Sequence, residues 1–281
     1  MLDFKLCDLL KMALLEDIGC GDVTSEALVG EDVLCEAVIL AKQDLVLSGV
    51  TIIKSIFPCI GEEVGCKVFF RDGDWVSKGS VIARYVGKAR TILKVERVLL
   101  NLLQRFCGIA TYTRLMVEKL KGTDCRLLDT RKTTPLWRIL EKEAVRHGGG
   151  SNHRFGLFDG VLIKDNHIAV VGSVRKAVEL ARSKVHNLLK VEVEVSSMDE
   201  LEEALEAGAD MVLLDNFGID ELKKAVSLCK GRVLCEASGG INLSNVREVA
   251  KVGVDFISSG AITHSAPAVD LSLKITGSEG G

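Results

Sequence analysis

After Gly122 the chain repeats one pattern six times: a short apolar strand, a polar tip, then an amphipathic helix. The strands read Arg126 to Leu128, Val161 to Ile163, Val191 to Val195, Met211 to Leu214, Val233 to Ala237 and Asp255 to Ile257. Helical segments such as Val174 to Ser183, Met198 to Ala207, Asp220 to Cys229 and Leu243 to Val252 follow them, with Gly208 and Gly253 as stops. Strands separated by helices run parallel, and right-handed crossovers allow the sheet either to curl into a barrel or to stay open and doubly wound. Val191-Glu192-Val193-Glu194-Val195 favours the barrel, because alternation sends both glutamates to one face. A doubly wound sheet is dry on both faces, where unpaired carboxylates are costly, whereas a barrel gives them a lumen.

The segment from Val33 to about Gly87 follows a different grammar. Short strands are expected at Val33 to Leu40, Leu45 to Val50, Cys66 to Phe70 and Val81 to Val86, with helical character from Val50 to Cys59 and turn chemistry at Arg71-Asp72-Gly73-Asp74 and Ser77-Lys78-Gly79-Ser80. A long amphipathic helix follows, Arg90 to Leu120, with a break expected at Gly108.

Bulk properties exclude several function classes. A chain of 281 residues, 47% hydrophobic, buries a sizeable core. Its formal charge of -3 offers no general attraction to nucleic acid or anionic lipid. Nine cysteines, none in a Cys-x-x-Cys or zinc-finger spacing and most within apolar runs, fit free thiols in a reducing cytoplasm. The early acids Asp3, Asp8, Glu16 and Asp17 do not form a basic-then-apolar leader, and no apolar run approaches membrane-spanning length, so a cytoplasmic location is expected.

The strand tips carry the chemistry. They are Asp129-Thr130-Arg131-Lys132, Lys164-Asp165-Asn166-His167, Glu194, Asp215-Asn216, Glu236-Ala237-Ser238-Gly239-Gly240 and Ser258-Ser259-Gly260. Any one tip is explained as well by helix capping, but Arg131 and Lys164 are poor caps, and barrel enzymes hold their sites on this face. Arg131, Lys132, His153, Arg154 and Lys164 would repel one another unless an anion with several carboxylates or phosphates sits among them. Ser238-Gly239-Gly240 and Ser258-Ser259-Gly260 have the form of paired phosphate loops, although each alone is also a tight turn. Glu194 and Asp215 offer the hard oxygens Mg²⁺ prefers, the dull alternative being an ion pair with Lys164 or Lys132. His147 and His153 lack a zinc spacing. Arg97, on physics alone, reads as a salt bridge to Glu96 or a solvated edge.

Taken together, Glu96-Arg97 with Asn101, Asp129 to Pro135, Gly148-Gly149-Gly150-x-Asn152-His153-Arg154, Leu162 to His167, Glu192 to Val195, Leu214-Asp215-Asn216 and Ser238-Gly239-Gly240-Ile241 closely resemble the quinolinate phosphoribosyltransferase family. Glu16-Asp17-x-Gly19-x-Gly21-Asp22-x-Thr24 is similar too, so the match runs in order from about Leu14 to His264. The resemblance implies phosphoribosyl transfer from 5-phosphoribosyl-1-pyrophosphate to quinolinate, with loss of pyrophosphate and CO₂, giving nicotinate mononucleotide for NAD synthesis. It implies Arg131, His153, Arg154 and Lys164 on the quinolinate carboxylates, and Lys132 and Lys164 facing pyrophosphate. Glu194 and Asp215 would lie near the ribose hydroxyls and Mg²⁺. Ser238, Gly239, Gly240, Ser259 and Gly260 would form the 5-phosphate loops, with His264 near the pyrophosphate. Arg97 would come from the partner across a homodimer interface, replacing the dull reading above. The expected fold is α/β: an irregular parallel β/α barrel over residues 111–264 and an N-terminal α+β sandwich domain over residues 1–110, joined by residues 265–281.

One departure stands out, since the family commonly has Gly after Thr-Thr-Pro where this chain has Leu136-Trp137. A related group linked to molybdenum transport shares much of the barrel, which bears on the acceptor. Two other readings compete. A Schiff-base aldolase would use Lys164 at a strand end. A non-catalytic sensor would bind a nucleotide or carboxylate without releasing pyrophosphate.

Overall fold

In a computed structural model that describes residues 2–279, the elements run α1 (Leu2–Ile18), α2 (Val23–Leu28), β1 (Leu34–Ala41), β2 (Leu45–Val46), α3 (Val50–Cys59), β3 (Gly65–Val68), β4 (Trp75–Val76), β5 (Val81–Lys88) and α4 (Ala89–Lys119). There follow β6 (Arg126–Leu128), α5 (Arg138–His147), β7 (Val161–Ile163), α6 (Asp165–Val171), α7 (Val174–Lys184), β8 (Val191–Val195), α8 (Met198–Glu206) and β9 (Met211–Asp215). The last are α9 (Ile219–Cys229), β10 (Leu234–Ser238), α10 (Val246–Ala250), β11 (Phe256–Ser258), α11 (Ala261–His264) and β12 (Leu271–Glu279). Among the described residues, no helix is long and apolar enough to cross a membrane.

The chain divides into two compact units. Of the described residues, the first comprises those up to 112, 135–149 and those from 266 onward, and the second 113–134 and 150–265. The expected boundary near residue 110 falls inside α4, and residues 135–149, assigned by sequence to the barrel, group with the first unit. The physical reason is visible in α5. Its Glu141 is fully buried and accepts from Nε (3.2 Å) and Nη2 (3.0 Å) of Arg105 on α4, and Trp137 packs on Phe106 with ring centroids 6.1 Å apart.

The first unit is built on an antiparallel sheet of order β12-β1-β5-β3. Ala37, Ile39, Ala83 and Tyr85 share one face of β1 and β5 and project into a core that α3 closes with Ile52, Ile53, Ile56 and Phe57. Tyr85 buries its ring against Phe57, edge-on at 5.0 Å, and donates its hydroxyl to the Ile53 carbonyl at 2.9 Å, so its polar tip goes in satisfied. Strand β12 pairs with β1 from Leu34↔Glu279 to Ala41↔Leu271.

Three sequence expectations change here. Helix α4 runs unbroken through Gly108, because that glycine serves close packing: a Cβ there would collide with the Pro267 carbonyl oxygen. Not every cysteine is free, since Cys7 and Cys59 form a disulfide between α1 and α3 with Cα atoms 5.1 Å apart, a pairing across 52 residues that spacing did not reveal. The strand expected from Leu45 to Val50 is confined to Leu45–Val46, since α3 begins at Val50. The family departure also has a local reading: Leu136 adopts φ 70°, the left-handed region that favours glycine.

The second unit holds the six parallel strands in the order β6-β11-β10-β9-β8-β7. The first strand therefore lies beside the last, which is the order of a sheet that curls on itself. No ladder joins β6 to β7 among the described residues; Ser151 instead bridges to Leu128 on the outer edge of β6. Ser173 and Ser197 cap α7 and α8 by accepting from Lys176 N and Glu200 N, and Gly208 and Gly253 stop the helices at φ 78° and 99°. The alternation of β8 resolves as expected. Val191, Val193 and Val195 are fully buried on one face, while Glu192 and Glu194 share the other with the strand-tip cations.

Candidate functional site

Asp129, at the tip of β6, organises the carboxyl end of this sheet. It is fully buried, and its two oxygens accept from Asn152 Nδ2 (2.6 Å) and from the backbone N–H of His153 (2.8 Å). With the Ser151 bridge, these bonds fix the 151–154 segment against β6, so that Arg131, His153 and Arg154 share one mouth. Thr263 ties in the final loop by donating to the Lys132 carbonyl at 2.8 Å.

The resulting pocket, about 230 Å³, is lined by Arg131, Lys132, His153, Arg154, Lys164, Glu194, Asp215 and Ser238 among the expected residues, together with Glu236, Ser258 and Thr130. Arg154 donates Nη1 to the Gly160 carbonyl at 2.9 Å, which turns its guanidinium into the mouth. Burial, then the neighbouring Arg131, depress the pKa of Arg154, against the weaker pull of Glu192 and Asp159. Two guanidiniums held close enough to disfavour each other are poised for an anion, which removes the repulsion on binding. Lys164 forms an ion pair with Glu194, the dull alternative weighed above for that carboxylate. An amine engaged in this way lends no support to the imine reading.

His153 has a defined tautomer. Its Nδ1 accepts from the Arg154 N–H at 2.8 Å, so Nε2 carries the hydrogen and donates to Glu192 Oε2 at 2.9 Å, with Glu236 Oε2 at 3.6 Å. Asp215 accepts from Asn216 Nδ2 at 2.7 Å. Glu194 and Asp215 both line the pocket, and two carboxylates with room for further oxygens are a donor set that fits Mg²⁺.

The remaining expected residues divide. Gly239 packs so tightly that a Cβ would strike Asn216, and one on Gly260 would lie 2.9 Å from the His264 ring and 3.0 Å from Lys132 Cδ. Gly260, His264 and Lys132 are therefore neighbours at the rim, while Gly240 is exposed. Ser259 is the correction: it is buried, its hydroxyl donates to the Ile241 carbonyl at 2.6 Å and its N–H to Leu128, so it fastens the loop and offers nothing to a ligand. Arg97 lies exposed on α4 in the first unit. Asp129, Glu192 and Glu236 stand in the tips and strand read from the sequence but were assigned no role in the site. The signal for the last two was present, since Glu192 shares the lumen face with Glu194 and Glu236 stands two residues before Ser238 on one strand face.

A parallel β/α sheet that gathers guanidinium, ammonium and carboxylate groups at its carboxyl end defines the class of α/β enzymes that handle polyanionic substrates at strand ends. The comparisons with known proteins narrow this class. Residues 22–107 match the family described as quinolinate phosphoribosyl transferase, N-terminal domain, and residues 109–274 match quinolinate phosphoribosyl transferase, C-terminal domain. The chain belongs to this family. It is 45% identical to a probable nicotinate-nucleotide pyrophosphorylase (carboxylating) of Bacillus subtilis, over 97% of this chain and 94% of the relative. A Methanocaldococcus jannaschii protein of the same description is 44% identical, covering 95% of this chain and 96% of its own. The solved nicotinate-nucleotide pyrophosphorylase of Francisella tularensis superposes with a TM-score of 0.91 at 39% identity, covering 98% of this chain and 97% of that one.

Proposed function

We propose that the protein transfers the phosphoribosyl group of 5-phosphoribosyl-1-pyrophosphate to quinolinate and decarboxylates the product to nicotinate mononucleotide, a step of NAD biosynthesis. The observation that carries the reading is the close pair Arg131 and Arg154, beside His153 and Lys164, in one half-buried mouth. Planar guanidinium forks suit carboxylates bidentately, and a pyridine dicarboxylate presents two of them.

Departure of pyrophosphate builds positive charge on the ribose and negative charge on the leaving group. Lys132 and Lys164 meet the second, and Glu194 and Asp215 the first. Glu194 and Asp215 would also hold Mg²⁺, which when bound neutralises donor oxygens. Fixing two anionic substrates together removes much of the barrier, by roughly 7–11 kcal/mol in well-oriented systems, without a covalent nucleophile. Ser238, Gly239, Gly240 and Gly260 would take the 5-phosphate on backbone N–H groups, with His264 at the rim. Once the glycosidic bond forms, the pyridinium nitrogen is the electron sink for loss of CO₂ from the adjacent carbon.

The reading includes a homodimer in which Arg97 serves the partner's site. Support for it is sequence resemblance, and at low quinolinate, where Arg97→Ala and Arg154→Ala are each expected to turn over poorly, mixing the two chains should then restore partial activity. It also includes a cytoplasmic location. The deciding experiment incubates the protein with quinolinate, the phosphoribosyl donor and Mg²⁺. Equal release of pyrophosphate and CO₂ is expected; release of pyrophosphate only with a different acid would move the assignment to another acceptor.

A further inference from the structure

At the floor of the pocket lies an acid that the roles above do not use. Glu236 on β10 is fully buried, and neither of its oxygens makes a well-formed hydrogen bond. The groups that face it are Glu192 from β8, His153 from the segment beside β6, Lys164 from the end of β7, the Ser258 hydroxyl on β11, and the Cys125 thiol just before β6. Burial, then the Glu192 carboxylate, push the Glu236 carboxyl up to about 7, against the smaller opposing pull of His153, Ser258 and Lys164. At neutral pH this side chain therefore holds a proton for a large share of the time, inside a pocket lined by cations, carboxylates and hydroxyls.

One histidine and two glutamates with ligand atoms within 4.8 Å of one another also have the composition of a divalent-metal site. The tautomer argues against that use. Nδ1 of His153 accepts a backbone N–H, so Nε2 keeps its hydrogen and has no lone pair to give a metal. The cluster is arranged to store and stabilise a proton.

We propose that Glu236 is the proton donor to the ring carbon that loses CO₂. The proposal rests on the function proposed above, in which the Arg131 and Arg154 guanidiniums hold the carboxylates of quinolinate in the pocket whose floor Glu236 lines, while the one N–H of His153 stays with the glutamates. When the C–C bond to the departing carboxylate breaks, its electron pair stays on the ring carbon. The O–H bond of Glu236 then breaks, a C–H bond forms with that pair, and Glu236 is left as a carboxylate. The Nε2–H of His153, 3.6 Å from Glu236 Oε2, faces the new charge. Water returns the proton once the product leaves.

The test is a single-turnover quench of the wild type and Glu236→Gln, which keeps shape and has no acidic proton, with pyrophosphate and nicotinate mononucleotide measured separately. Pyrophosphate release is expected to persist in the variant. Formation of the mononucleotide should slow by about 100-fold or more, the usual contribution of general acid catalysis, with the dicarboxylate intermediate accumulating. In the wild type the second step should slow as pH rises through about 7, and in the variant it should be flat. Equal slowing of both steps, or no slowing of the second, overturns the proposal, as does a wild-type second step indifferent to pH. Failure of the underlying reading looks different, because the wild type itself would then release no pyrophosphate from these substrates.

Discussion

The two ends of the parallel sheet carry the same kinds of residue and use them in opposite ways. At the amino end, Asp210 accepts from the Val191 N–H at 2.7 Å and pairs with Arg182 at 3.0 Å, while Asp255 accepts from the Cys235 N–H at 2.8 Å. These acids are spent on strand beginnings. At the carboxyl end, Glu236 and one oxygen of Glu192 are buried without a hydrogen-bond partner, and Arg154 stands against Arg131. The hollow at the amino end, about 650 Å³, is the larger of the two, against about 230 Å³ at the carboxyl end. Size therefore does not locate the chemistry. Unspent carboxylates do, because burying acids without hydrogen-bond partners is a cost that a ligand or a reaction step can repay.

Substitutions at each end test the contrast. The largest effect is expected from Arg154→Ala at the carboxyl end. It should raise KM for quinolinate about a hundredfold, the value of a lost charged hydrogen-bonding fork, and leave KM for the phosphoribosyl donor nearly unchanged. Equal rises would mean that this end does not divide the two substrates as argued.

Next comes the stability cost of keeping Glu236 buried. Its folded pKa of about 7 lies above the ordinary carboxyl value of 4.5, so wild-type stability is full below the ordinary value and declines as pH rises toward 7. About 3 kcal/mol is withdrawn over that window. Glu236→Gln removes the decline, and urea titrations at pH 4 and pH 8 should show it gaining on the wild type only at the higher pH. A parallel loss in both proteins would contradict the assignment of the proton.

At the amino end, Asp210→Ala should cost about 1–2 kcal/mol of stability through the lost Val191 acceptor while leaving kcat/KM intact. A fall in activity out of proportion to the unfolding would show that this end is not purely structural. The smallest effect lies outside the sheet. Leu136→Gly should stabilise the protein by about 0.5–1 kcal/mol by relieving the left-handed backbone, a change thermal melts can resolve.

The sequence made the parallel sheet legible because each strand and tip is local: five consecutive residues, Val191 to Val195, already state which face is wet. Arg131, Lys132 and Lys164 were legible for the same reason, since they follow apolar strands directly. What escaped were properties that depend on partners far along the chain. Gly108 reads as a helix breaker until Pro267 is seen against it, and Cys7 gives no sign of Cys59. Ser259 reads as a phosphate ligand until the Ile241 carbonyl claims its hydroxyl, and Glu236 reads as one strand residue among several until Glu192 is found beside it.

The pairing of β12 with β1 also sets an order of assembly. During synthesis β1 leaves the ribosome with one edge unpaired, and the strand that covers it emerges only after every strand of the parallel sheet has been made. The nascent first unit therefore waits, with its sheet incomplete, while the second unit folds. Clipping β12 away would leave the pocket's own strands whole and strand the older half of the molecule with an open, aggregation-prone edge.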